Sequence, residues 1–292
     1  MAHGVNRLVY NRQRFLLQFI SQLSRKVTST DLQKLVFLYT EEKRSSFYDF
    51  LPYKFGPYSF QLRHDLDILV KRGFIRTEDY GDSVLVESKF RNDNNVVFDI
   101  AVERGDALIK KSYRNYPYYA INSEITERLF DNEERILFQK ERQKNLSNEK
   151  MLFTVGYEGM TIEAFMNKLL KNNVRLLCDV RKNSISRKYG FSKKMLEHIT
   201  TSVGIDYLHI SELGIDSSKR NALNSEDDYR ELFLDYKNSL HSHKYNIERL
   251  CELLNKYTRI VLMCFESNPD FCHRHIIKDT LVSRSGIRSK DL

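Results

Sequence analysis

From residue 151 onward the chain alternates short apolar runs with amphipathic stretches, and this alternation narrows the available folds more than any other feature. The runs MLFTVG, VRLLCDVR, IDYLHI and IVLMC, at 151–156, 174–181, 205–210 and 260–264, read as strands. Between them TIEAFMNKLLKNN, FSKKMLEHITTSVG, DDYRELFLDYKNSL and YNIERLCELLNKY carry apolar residues at helical spacing, and HIIKDTLVSR follows the last run. Strand–helix alternation builds a mostly parallel sheet with helices on both faces, so the fold class is α/β. The run at 260–264 suits a central strand covered on both sides. Phe153, Leu177 and Leu262 are expected to be buried on such strands.

Polar residues gather at and just past the carboxyl ends of these runs. Gly156, Tyr157, Glu158 and Gly159 mark the first. Asp179, Arg181, Ser184, Ser186 and Arg187 mark the second. His209, Glu212 and Gly214 mark the third. Glu266, Cys272, His273 and Arg274 follow the last, where Pro269 ends regular structure. Parallel strands would bring all four sets to one crevice, at the carboxyl edge where open α/β sheets bind ligands.

The candidate catalytic residues are Glu158, Asp179, Glu266, Cys272 and His273. Glu158 is either a catalytic carboxylate or a turn-stabilising acceptor. Asp179 and Arg181 are either functional or an internal salt bridge that holds the loop. The candidate ligand-binding residues are Gly156, Tyr157, Gly159, Arg181, Ser186, Arg187 and Arg274. The two glycines permit close backbone approach, and the three arginines suit bidentate phosphate contact. Cys272, beside His273 and Arg274, has neighbours that lower a thiol pKa and suit a nucleophile, although a structural thiol is the commoner outcome. Zinc on Cys264, Cys272 and His273 with a carboxylate is a minority possibility, because the spacing is not a standard one. No other cofactor is expected.

The N-terminal half reads differently. Residues 7–24 have helical spacing, and Thr30 and Asp31 can cap a second helix running to about Lys43. A turn rich in proline and glycine follows, then a third helix over about 59–72 ended by Gly73, then two short strands over 74–88. Three helices and a hairpin is the order of a winged helix, a small α+β module. Its third helix and wing would place Gln61, Arg63, His64, Lys71 and Arg76 against nucleic acid. The alternative is a packing or protein-binding module. The division expected is 1–115 for this module, 116–150 for a charged helical linker and 151–292 for the α/β domain.

Two resemblances can be stated on particular residues. TVGYEG, DVRKNSISRKYGFSKKML, GIDYLHISELG and CFESNPDFCHR are similar, in that order, to the domain-of-unknown-function 488 family. Ser184 stands where that family usually has proline. The resemblance implies a Rossmann-like or flavodoxin-like sandwich over about 151–286 and supplies no reaction. LQKLVFLY and YKFGPYS, with the following helix, resemble the SocA-like (Panacea) antitoxin domain, many members of which are regulatory or partner-binding modules.

Composition sets outer bounds. The 292 residues suit two domains, and a net charge of +8 is compatible with a nucleic-acid or nucleotide partner without requiring one. No apolar run is long enough to span a bilayer and the N-terminus lacks a signal-peptide core, so a cytoplasmic location without membrane contact is expected. Cys178, Cys251, Cys264 and Cys272 form no paired C-x-x-C units and are expected as free thiols. The expected function is carboxylate-assisted cleavage of a glycosidic or phosphoester bond in a nucleotide or nucleic acid. The alternative is a nucleotide-like ligand sensor whose N-terminal module binds DNA or a protein partner. The sequence does not set the oligomeric state.

Overall fold

The structure, a computed structural model, describes residues 10–81, 83–89, 97–220, 223 and 225–292. The chain forms two compact units, Met1–Lys144 and Asn145–Leu292. No helix among the described residues is long and apolar enough to cross a membrane.

In the first unit α1 (Asn11–Ser21) and α2 (Ser29–Lys43) flank a two-residue strand, β1 (Val27–Thr28). Residues 7–9 of the helix expected over 7–24 lie outside the described residues. The cap of α2 is Thr28, whose hydroxyl accepts from the Asp31 amide at 3.0 Å, rather than Thr30 or Asp31. A small hairpin, β2 (Leu51–Tyr53) with β3 (Gly56–Tyr58), leads into α3 (Phe60–Lys71), capped by Ser59. Antiparallel β4 (Ile75–Tyr80) and β5 (Ser83–Ser88) follow, and β1 pairs with β5 to give the sheet order β1-β5-β4. The helices α4 (Gly105–Asn115), α5 (Thr126–Leu129) and α6 (Asn132–Gln143) complete the unit. The stretch from 116 carries more than charge: Ala120, Leu129, Phe130 and Phe138 are buried in one cluster with Ile109 and Tyr113.

Several buried polar side chains of this unit are paired, as burial favours. Asp65, fully buried, accepts from Arg12, Gln13 and Tyr48 at 2.6, 2.8 and 3.1 Å. Gln33 exchanges two hydrogen bonds with the Ser59 backbone, and the buried Lys34 Nζ donates to the Pro57 carbonyl at 3.0 Å. These three bonds fasten the LQKLVFLY helix to the YKFGPYS turn. Burial pushes the Lys34 ammonium down to about 7, with partial opposition from Asp31.

In the second unit five strands run parallel: β6 (Met151–Gly156), β7 (Leu176–Asp179), β8 (Asp206–His209), β9 (Arg259–Cys264) and β10 (Arg288–Asp291), in the order β10-β6-β9-β7-β8. Helices α7 (Ile162–Lys171), α8 (Lys193–Ser202), α9 (Glu226–Ser239), α10 (Lys244–Tyr257) and α11 (Arg274–Ser285) flank the sheet. Every residue of β7 and β9 is buried, and so are Phe153, Leu177 and Leu262. The outer strand β10, RSKD, is wholly exposed, and nothing in its polar sequence marked it as a strand.

The strand order fixes where a site can form. From β9 the chain passes through α11 to β10 on one side of the sheet. From β7 it passes through α8 to β8 on the other side. The neighbours β9 and β7 therefore send their connections apart, which makes their carboxyl ends a topological switch point.

Candidate functional site

The parallel register brings the ends of β6, β7, β8 and β9 to one edge, and each polar set expected from sequence begins there. Their side chains do not all face one opening. They divide into a buried ionic network, a latch between two loops and a sulfur–imidazole cluster.

The ionic network centres on Asp179, the last residue of β7 and fully buried. Its Oδ1 accepts from Arg181 Nε at 2.8 Å and its Oδ2 from Arg181 Nη2 at 2.6 Å. The Arg181 amide and the Tyr207 hydroxyl, from β8, also donate to it, at 3.1 and 2.8 Å. Arg181 Nη1 donates to the Tyr157 hydroxyl at 3.0 Å, and the Tyr157 ring stacks on Phe191 at 4.2 Å. Burial alone would lower the Arg181 pKa, but the Asp179 carboxylate holds it above its usual range. Burial, then Asp179, raises that of Tyr207. Two residues apart in an extended segment place Asp179 and Arg181 on one side, which made the pairing legible. Tyr207 was not singled out, because its partner lies on a neighbouring strand.

The latch joins the loops after β6 and β9. Glu158 is exposed, and its Oε2 accepts from the Ser267 amide at 3.0 Å and the Ser267 hydroxyl at 3.2 Å. Gly156 meets the protein's own chain rather than a ligand: a Cβ there would lie 1.6 Å from the Glu266 carbonyl oxygen. Gly159 has open space around it and a φ of +75°, so its need is conformational. Arg274 is buried; its Nε donates to Thr154 Oγ1 at 3.1 Å, its Nη1 to the Glu266 carbonyl and its Nη2 to the Ser267 carbonyl at 2.9 Å.

This arrangement corrects the expected three-arginine anion site. Arg181 and Arg274 spend their guanidiniums inside the protein, and of the three only Arg187 is exposed. The loop after β7 supplies other cations, the exposed Lys182 and the half-buried Lys188. Lys188 Nζ donates to the Tyr157 carbonyl at 3.2 Å; burial lowers its pKa and Glu158 partly opposes this. Ser186 sits in the same loop, its hydroxyl 3.4 Å from that of Tyr157. Ser192, the residue before α8, makes no side-chain cap; its hydroxyl instead bonds both the amide and the carbonyl of Ser186.

The third group is Cys264, Cys272 and His273, all buried, with donor atoms within 4.8 Å of one another. His273 Nδ1 lies 3.8 Å from Cys264 Sγ and 3.9 Å from Cys272 Sγ, while Nε2 lies 2.9 Å from the Val180 carbonyl oxygen. The half-buried Glu266 carboxylate accepts from Cys264 Sγ at 3.2 Å. Burial pushes the Cys272 thiol up to about 12, the reverse of the activation a nucleophilic cysteine needs.

A cavity of about 360 Å³ opens beside the ends of β7 and β8, lined by Lys182, Glu212, Asp216, Lys219, Asp235 and Tyr236 among others. The ring of Tyr236 meets the His273 imidazole edge-on at 5.4 Å.

In the first unit Gln61, Arg63, His64 and Lys71 lie on α3 and Arg76 on β4; Lys71 and Arg76 are exposed, and Arg63 pairs with Asp67 at 3.1 Å.

Comparison with known proteins gives one result. Residues 161–281, from just before α7 into α11, match the family model described as Domain of unknown function DUF488. Neither the curated proteins nor the solved structures give a match.

Proposed function

We propose that the DUF488 domain of this chain is an enzyme processing a nucleotide or a nucleic acid, with Glu158 as its carboxylate in cleaving a glycosidic or phosphoester bond. The observation that carries this reading is the state of Glu158: solvent-facing, yet oriented by two hydrogen bonds from Ser267 at the carboxyl edge of a parallel sheet. A carboxylate in that state can exchange protons with a substrate or a water. Asp179 is committed to Arg181 and Tyr207, so its part is to position the loop after β7. Arg187, Lys188 and Lys182 on that loop are the cations placed to meet phosphate. The test is incubation of the full chain with a panel of nucleotides and oligonucleotides, with products separated by chromatography. Glu158→Gln should abolish turnover and leave the melting temperature within about a degree. Recovery of every ligand unchanged from folded wild-type protein would sink the enzyme reading in favour of a sensor.

A second reading concerns the first unit. The order α1, β1, α2, α3, β4, β5, with β1 paired to β5, supports a winged-helix module carrying an added hairpin between α2 and α3. Lys71 and Arg76 then face nucleic acid. Electrophoretic shifts should weaken steeply with salt, as counterion release requires. Their absence at low salt would leave a protein partner as the occupant of this face.

A further inference from the structure

The switch point between β9 and β7 holds a donor set that neither the carboxylate chemistry nor the phosphate contacts use. We propose that Cys264, Cys272 and His273 form a binding site for a thiophilic divalent cation of the zinc class, with Glu266 as the neighbouring oxygen donor. Four observations support this independently of the enzyme reading.

The first is distance. A tetrahedral zinc ion with Zn–S of about 2.3 Å and Zn–N of about 2.0 Å sets sulfur roughly 3.8 Å from sulfur and roughly 3.5 Å from nitrogen, the latter a few tenths of an ångström inside the sulfur–nitrogen separations here. The two sulfur–nitrogen separations here are 3.8 and 3.9 Å, and the Glu266 oxygen stands 3.2 Å from Cys264 Sγ. Little rearrangement is needed to close the site.

The second is the state of the imidazole. A carbonyl oxygen only accepts, so the nitrogen 2.9 Å from the Val180 carbonyl carries the hydrogen. In the neutral ring Nδ1 then presents its lone pair to the two sulfurs. A backbone carbonyl that fixes the tautomer in this way is the usual outer support of a metal-bound histidine.

The third is charge. Binding releases one proton from each thiol to solvent, and two thiolates then balance a dication beside a neutral imidazole. The ion and its three buried ligands are then neutral together, and the one remaining negative charge sits on the half-buried Glu266 carboxylate, which keeps access to solvent. Sulfur and imidazole select zinc-class ions over magnesium or calcium.

The fourth is place. Cys264 ends the central strand β9, His273 precedes α11, and Val180 opens the connection after β7. The set therefore bridges the two loops that part at the switch point, where α/β sheets gather their ligands.

The test uses the full chain, reduced and folded, purified without chelator and then loaded with cobalt(II) as a spectroscopic stand-in. One equivalent should bind with a thiolate-to-metal charge-transfer band in the near ultraviolet and the intense visible bands of a tetrahedral site. The charge-transfer band should fall by about half or vanish in Cys264→Ser and in Cys272→Ser, vanish in the double variant, and be kept in Cys251→Ser. Should the serine variants fail to fold, the wild type still decides the matter. In mild denaturant, where the buried thiols become reachable, bound zinc should shield Cys264 and Cys272, and not Cys251, from alkylation located by mass spectrometry. Folded wild-type chain that takes up no cobalt or zinc, binds cobalt without thiolate charge transfer, or alkylates at the same positions with and without zinc would overturn the assignment.

Discussion

Asp179 accepts four hydrogen bonds, three from Arg181 and one from Tyr207, and this limits what it can do. A carboxylate so occupied is poorly placed to exchange protons with a substrate. Replacing it removes the partner of a guanidinium that is itself only 6% exposed. Asp179→Asn should destabilise the second unit by about 3–5 kcal/mol, read as a drop in denaturation midpoint, because an unpaired buried charge is left behind. A midpoint unchanged by the substitution would mean that the pair is not structural. Lys34 makes the opposite kind of prediction, one of pH. Its folded-state pKa is depressed to about 7 from the ordinary 10.5, so between those values the unfolded chain binds more protons. Stability should therefore rise with pH across that window, by about 1.4 kcal/mol per unit at most. Lys34→Met should flatten that rise, as urea titrations of both proteins between pH 7 and 9 would reveal. What was legible at this scale was residue type and local spacing. The sequence could pair Asp179 with Arg181 two positions on, but not with a phenol brought by strand register. It put Arg274 among the phosphate binders, because a guanidinium spent on backbone carbonyls has the same letter as a free one.

Two glycines only three positions apart show how much an element hides behind one residue type. Gly156 ends β6 against the backbone of the loop after β9, whereas Gly159 occupies a left-handed turn in open space. Gly156→Ala must push the Glu266–Ser267 backbone aside and should cost about 1–3 kcal/mol or more, while loosening the Ser267 bonds to Glu158. Gly159→Ala should cost only the strain of its dihedral, about 1–2 kcal/mol. Equal losses in thermal unfolding would contradict this division of roles. The buried strands β6, β7 and β9 were legible because burial on both faces leaves an uninterrupted apolar signature. Strand β10 was not: all four of its residues are exposed, and its pairing with β6 depends on backbone groups every sequence possesses.

At the scale of the whole molecule, each unit has an apolar interior of its own: one cluster includes Phe15, Leu35, Leu66 and Val86, the other Leu152, Leu176, Leu250 and Leu262. Residues 145–292 made alone should therefore melt in a single cooperative transition, with far- and near-ultraviolet circular dichroism changing together. A gradual, probe-dependent melt would show that the second core is incomplete by itself. The polarity that concealed β10 from the sequence has a consequence of its own. A strand at a sheet margin offers a row of amides and carbonyls on which another copy of the chain could template itself into a fibril. Here that margin presents Arg288, Lys290 and Asp291, all exposed, and the opposite margin presents the exposed Asp206. Desolvating those charges is the cost any added strand would meet. The residues that look least like a strand thus act as gatekeepers, keeping this sheet at five strands when the protein is crowded.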